Sequence, residues 1–247
     1  MKTFTLIHGA WLNAGIWERV ALRLRDAGHE VLTPELPGNG RDATPAFQVN
    51  LQTYVDAIAT LIPEREDVIL VGHSMAGIVV SNLTKMMPKK IAHLFYLAAF
   101  MLPDGASVVS FQEAQRALRS GQQAPPQDAR GLLEFGPDRS YSTLNPELVP
   151  SKLCNMCTEA DAQLLVSLLA QQPTGPRLDP VHISEARWGS VPRTYIKTLQ
   201  DKSVGTELQE AMLAQIPGTP VVELDSDHSP FYSKPEELVE ILLTAAR

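Results

Sequence analysis

The chain has 247 residues, 44% of them hydrophobic and 20% charged, which fits one globular unit with a sizeable core and argues against disorder. A net charge of −7 offers no basic footprint for nucleic acid or for an anionic membrane surface, so neither is an expected partner. The apolar run before His8 is too short for a signal-peptide core and no stretch approaches transmembrane length, so a cytoplasmic location is expected.

Taken in chain order, Thr3 to His8 reads as a first strand that breaks at Gly9, Ala10 and Trp11. Ile16 to Ala27 reads as a helix closed by Gly28, and Glu30 to Thr33 as a short strand. After the turn residues Pro37 to Gly40, the spacing of Leu51, Tyr54, Val55, Ile58, Leu61 and Ile62 predicts an amphipathic helix stopped by Pro63. Val68 to Val71 is a buried-type strand, Ala76 to Met87 the helix after it, and Leu94 to Phe100 the next buried strand. Strands alternating with helices imply a parallel sheet covered on both faces.

From Asp104 to Trp188 the pattern changes to helical pieces and prolines with no convincing strand, which predicts a helical cap inserted into the sheet domain. Alternation returns with a strand from Arg193 to Leu199 and a helix near Glu207 to Ile216. A strand from Pro220 to Leu224 and a helix from Pro235 to Ala246 follow. The two cysteines, Cys154 and Cys157, are spaced as C-x-x-C. A redox pair would want a thioredoxin-like context, and a zinc site would need two further ligands, none of which is close in sequence. Two reduced thiols in a helical segment, with no metal, are expected.

The most informative stretch is Gly72-His73-Ser74-Met75-Ala76-Gly77, read as a G-x-S-x-G turn between strand and helix. In that context the glycines let strand and helix approach, and a strained serine projects its hydroxyl above the sheet edge. A serine hydroxyl is a poor nucleophile and needs a base and an acid, supplied in the order Ser, Asp or Glu, His. His228 is the only histidine after a late strand, so it is the candidate base. His8 and His73 adjoin glycine turns and are expected to support the site. Asp201 follows the strand ending at Leu199 and is the favoured acid, with Asp104 a geometric alternative. Asp225 and Asp227 read as solvated loop carboxylates. Backbone N–H groups of Met75 and of the loop after the first strand, with Ala10 preferred over Trp11, are the expected oxyanion donors.

With these residues placed, the chain resembles the α/β-hydrolase fold, and within it the branch of plant methylesterases, α-hydroxynitrile lyases and bacterial esterases. The resemblance rests on Ile7 to Trp11 with Trp17, Val71 to Gly77, Leu97 to Asp104, Trp188 to Ile196, Gln200 to Lys202, and Asp227 to Pro230. It implies Asp201 as the acid and Ala10 as an oxyanion donor. It also separates two chemistries, because the lyases carry a threonine after the first-strand histidine and a lysine after the catalytic one. Gly9 and Ser229 stand at those positions here, as in the esterases.

The expected function is therefore a serine carboxylesterase acting on small to medium hydrophobic esters without a cofactor. A cyanohydrin lyase and a non-catalytic receptor are the alternatives. Trp11, Leu102, Phe135 and Trp188 are the expected substrate contacts, with Phe111, Leu118 and Leu144 as further apolar cap residues. Relatives are often dimers, which leaves a homodimer open.

Overall fold

The computed structural model describes residues 1–62, 67–120 and 131–246, with the side chains of 119 and 120 excepted. Strand β1 (Thr3–Ile7) leads through a 3₁₀ turn (Ala14–Trp17) into α1 (Glu18–Asp26), β2 (Glu30–Leu32) and α2 (Leu51–Ala59). Next come β3 (Val68–His73), α3 (Ala76–Met86), β4 (Ile91–Leu97) and α4 (Val108–Ser120). Then follow β5 (Leu133–Phe135), β6 (Tyr141–Leu144), α5 (Val149–Leu153), α6 (Glu159–Ser167), β7 (Gln172–Pro173) and α7 (Gly175–Leu178). The chain returns with β8 (Arg193–Thr198), α8 (Thr206–Gln215), β9 (Val221–Leu224), α9 (Pro230–Ser233) and α10 (Pro235–Leu243). Pro63, expected to stop α2, lies outside the described residues. Among the described residues no helix is long and apolar enough to cross a membrane.

Six strands form one parallel sheet in the order β2-β1-β3-β4-β8-β9. Successive side chains of a strand face opposite ways, so a strand buried on both faces is apolar throughout. In β3, Val68 and Leu70 enter one cluster with Tyr54, Ile58 and Val79, and Ile69 and Val71 enter another with Trp17, Leu24 and Leu238. Helices α2, α3 and α8 thus cover one face, and α1 and α10 the other. The strand order reverses between β1 and β3. At such a switch point, loops leaving the carboxyl ends of neighbouring strands diverge to opposite faces and open a crevice.

Several sequence expectations change. The strand after α3 starts at Ile91 and ends at Leu97, because Ala98 takes a positive φ of 45° that leaves the extended region. The segment 104–188 is not purely helical. It carries a second, antiparallel sheet in the order β5-β6-β7, whose strands of 3, 4 and 2 residues are too short to show a period in sequence. Among its described residues it has no core of its own: Phe111 and Val181 join the first cluster, and Leu144, Val149 and Leu165 the second. Cys154 and Cys157 are joined in a disulfide instead of standing as thiols. The turn closed by the Cys157 N–H and the Cys154 carbonyl (3.2 Å) brings their Cα atoms to 5.2 Å, inside the range a disulfide spans.

Candidate active site

Ser74 stands at the carboxyl end of β3, beside the switch point, with a φ of 54°. That backbone is held from both sides. The Ser74 N–H donates to the Leu97 carbonyl (3.1 Å), and the Ser74 carbonyl accepts from the N–H groups of Gly77 (3.2 Å) and Phe100 (2.9 Å). A strained conformation persists only where its surroundings over-determine it. The two glycines serve close approach. A Cβ on Gly72 would lie 2.8 Å from the Ala76 carbonyl oxygen, and one on Gly77 2.5 Å from that of Phe100. Ala76 itself holds the fifth position of the motif, where G-x-S-x-G has its second glycine, so Gly77 answers to the loop after β4 instead.

His228 lies between β9 and α9, and Asp201 in the turn after β8. The His228 Nδ1–H donates to Asp201 Oδ2 (2.7 Å), and Nε2 lies 3.1 Å from Ser74 Oγ. A carboxylate only accepts, so the Nδ1 proton leaves Nε2 free to accept from the Ser74 hydroxyl. Asp201 is fixed by three more donors. Thr198 Oγ1 reaches Oδ2 (3.0 Å), and the N–H groups of Ser203 (2.7 Å) and Val204 (2.8 Å) reach Oδ1. Burial, helped by the Asp201 charge, holds the nearby Tyr195 phenol well above its usual range, so it stays a donor to the Ala99 carbonyl (3.0 Å). Asp104 is exposed and accepts from the Ile183 N–H (2.8 Å), so it is engaged in the insert and not with His228.

His73 and His8 support the site. The buried His73 packs against the His228 ring (centroids 4.6 Å apart) and donates from Nε2 to the His228 carbonyl (2.8 Å). Burial first, and then the neighbouring His228, hold its pKa well below the usual histidine range. His8 Nδ1 donates to the Gly9 carbonyl (2.9 Å) while Nε2 accepts from the Leu36 N–H (3.1 Å), fixing the loop after β1. That loop lies directly on the serine, since a Cβ on Gly9 would meet Ser74 Cβ at 2.8 Å. Among the described residues, neither the Ala10 nor the Met75 backbone N–H has an acceptor, although both residues are buried. Unpaired buried N–H groups are rare and costly, and a pair beside a nucleophile can stabilise an oxyanion.

Of the expected substrate contacts, Trp11 is half-buried at the site, with φ 62°. Its indole N–H donates to Ser142 Oγ (3.0 Å), its carbonyl accepts from the Ala170 N–H (2.8 Å), and the Arg177 guanidinium sits 4.7 Å over its ring. Burial brings that guanidinium down to about 10. Leu102 is buried in the cluster that also holds Ala10 and Met75. Trp188 is buried in the same cluster: its N–H donates to the Tyr96 hydroxyl (2.8 Å) and Arg193 lies 3.9 Å over its ring, a packing role for a residue whose polar tip needs a buried partner. Phe135 is 48% exposed beneath Arg139, as expected for an edge position in a three-residue strand. Phe111 and Leu144 are buried in the two core clusters and Leu118 is exposed, so these cap residues do not form one lining.

Sequence reasoning misplaced Asp227. It is fully buried: Oδ1 accepts from the Ser229 N–H (3.0 Å) and Ser233 Oγ (2.8 Å), and Oδ2 from the Met156 N–H (2.7 Å). The signal was the short sequence distance to Ser229 and Ser233, the pattern of an Asp folding its side chain onto a following turn. Asp225 is exposed, as expected.

Residues 6–241 match the model of the Alpha/beta hydrolase family. Over 99% of its length the chain is 32% identical to Methylesterase 7 of Arabidopsis thaliana, of which it covers 96%. It is 31% identical to Putative methylesterase 11, chloroplastic, of the same organism, but spans only 64% of that longer relative. Among solved structures, polyneuridine aldehyde esterase superposes over the whole of both chains with a TM-score of 0.85 at 25% identity.

Proposed function

The chain belongs to the alpha/beta hydrolase family, in the branch of the methylesterases, and from that premise we propose that it is a serine carboxylesterase. The observation that carries the reading is the unbroken hydrogen-bonded chain from Asp201 through His228 to Ser74. Ser74 Oγ attacks the ester carbonyl while His228 Nε2 takes its proton. The oxyanion faces the Ala10 and Met75 N–H groups, each such donor lowering the barrier by about 2.7–4 kcal/mol in comparable sites. His228 returns the proton to the leaving alcohol, and the Ser74 acyl-enzyme is cleaved by water with His228 again as base. Asp201 keeps the imidazole in the required tautomer and balances its charge.

Small to medium hydrophobic esters are the proposed substrates, and methyl esters come first because methylesterases stand among the relatives. Gly9 and Ser229 favour hydrolysis over cyanohydrin cleavage, since no cation adjoins His228 in sequence to receive departing cyanide. The reading is tested with a fluorophosphonate probe and a panel of esters varying in acyl and alcohol length. A single covalent adduct on Ser74, lost in Ser74→Ala together with ester turnover, is the expected result. No adduct, or cyanide release from mandelonitrile as fast as ester turnover, overturns it.

A further inference from the structure

The loop between α5 and α6 packs against the two loops that carry His228 and Asp201. The Asn155 amide donates to the Gln200 carbonyl (3.2 Å), and the Met156 N–H to Asp227 Oδ2 (2.7 Å). That carboxylate oxygen is also 3.6 Å from Cys157 Sγ, across 70 residues of sequence. One ligand atom from each of Cys154, Cys157 and Asp227 lies within 4.8 Å of the other two.

These distances have a chemical meaning. Zinc takes thiolate at about 2.3 Å and carboxylate at about 2.0–2.2 Å, so a tetrahedral ion holds a sulfur and an oxygen ligand roughly 3.5–3.7 Å apart. Cys157 and Asp227 already stand at that separation. C-x-x-C is a common half-site of tetrahedral zinc, because a turn of this length lets both sulfurs face one ion. The missing acidic ligand is supplied by the fold and not by the neighbouring sequence. We propose that, when the disulfide is reduced, Cys154, Cys157 and Asp227 bind one zinc ion, with water in the fourth position.

The two states exclude each other. In the disulfide the sulfurs are bonded to one another, whereas around zinc they must stand about 3.8 Å apart, each bonded to the metal. A dithiol supplies the two electrons and two protons that convert the S–S bond into two thiols, itself closing to a disulfide. Zinc then replaces the thiol protons, which pass to solvent. Cys157 is half-exposed, and with Cys154 it lines a surface groove of about 710 Å³, through which a thiol and then a metal can arrive. Two thiolates select zinc over magnesium or calcium. A reducing compartment would hold the pair as thiols, which is the metal-binding state.

The test uses the whole chain, reduced with a dithiol, freed of it under anaerobic conditions, and titrated with zinc chloride. One zinc per chain is expected, with affinity at least tenfold weaker for the oxidised chain and for Cys157→Ser and Asp227→Asn. Cobalt(II) in place of zinc should give thiolate charge-transfer absorption and tetrahedral ligand-field bands in the reduced wild type only. The cobalt spectrum needs no variant, so it stands even if Asp227→Asn fails to fold. If the reduced wild type binds zinc no tighter than the double variant Cys154→Ser, Cys157→Ser, or cobalt gives no thiolate band, the site does not exist.

Discussion

Ser74 and Asp201 illustrate how few atoms define this site. Under the proposed mechanism, Asp201→Asn removes the acceptor that fixes the Nδ1 proton, and turnover should fall about 10⁴-fold with the fold intact. Asp104→Asn should leave turnover within about twofold, because among the described residues Asp104 meets the Ile183 N–H and not His228. Steady-state kinetics of the two variants checks this, and a larger loss at Asp104 would reverse the assignment. His73 makes a prediction about stability. An unfolded histidine takes up a proton near pH 6.5, whereas burial depresses the folded pKa of His73. Its contribution is therefore fully present above pH 6.5 and is lost as the pH falls from there toward the depressed folded value. The loss is up to about 1.4 kcal/mol per pH unit. His29 and His93, also lowered by burial, add to the same acid-side slope. Urea midpoints at pH 7 and 5.5 should differ less for His73→Gln than for the wild type.

At the scale of elements, legibility followed length and regular period. Helix α2 was readable because its apolar residues recur on one face, and the structure adds a capping box. Asn50 accepts from the Thr53 N–H, and Thr53 Oγ1 answers the Asn50 N–H. Asn50→Ala should cost about 1 kcal/mol in thermal or urea unfolding without touching catalysis. The short strands β5 to β7 and the four-residue α9 had no such signal, since their conformation is imposed by partners distant in the chain. The insert also reaches the site through these contacts. It holds the loop after β1 through Ser142 on Trp11, the Leu168 carbonyl on the Asn13 amide, and the Ala170 N–H on the Trp11 carbonyl.

For the molecule as a whole, the segment 104–188 feeds both core clusters, so it should unfold together with the sheet. Phe111→Ala on one face should cost about 3–5 kcal/mol and Leu165→Ala on the other about 2–5 kcal/mol. Both should give one cooperative urea transition, seen alike by fluorescence and far-ultraviolet dichroism. A separate early transition would mean that the insert is an independent unit. By itself the sequence determined the alternation of strand and helix, the elbow at Ser74 and His228 as the candidate base, because each is written in local period or in its place after a strand. The tertiary structure alone decided that Asp201 and not Asp104 meets His228, that Trp188 is tied to Tyr96, and that Asp227 closes on Cys154 and Cys157. Those pairings join residues tens of positions apart, whose meeting depends on strand order and loop direction, and neither is encoded in any local stretch of the chain.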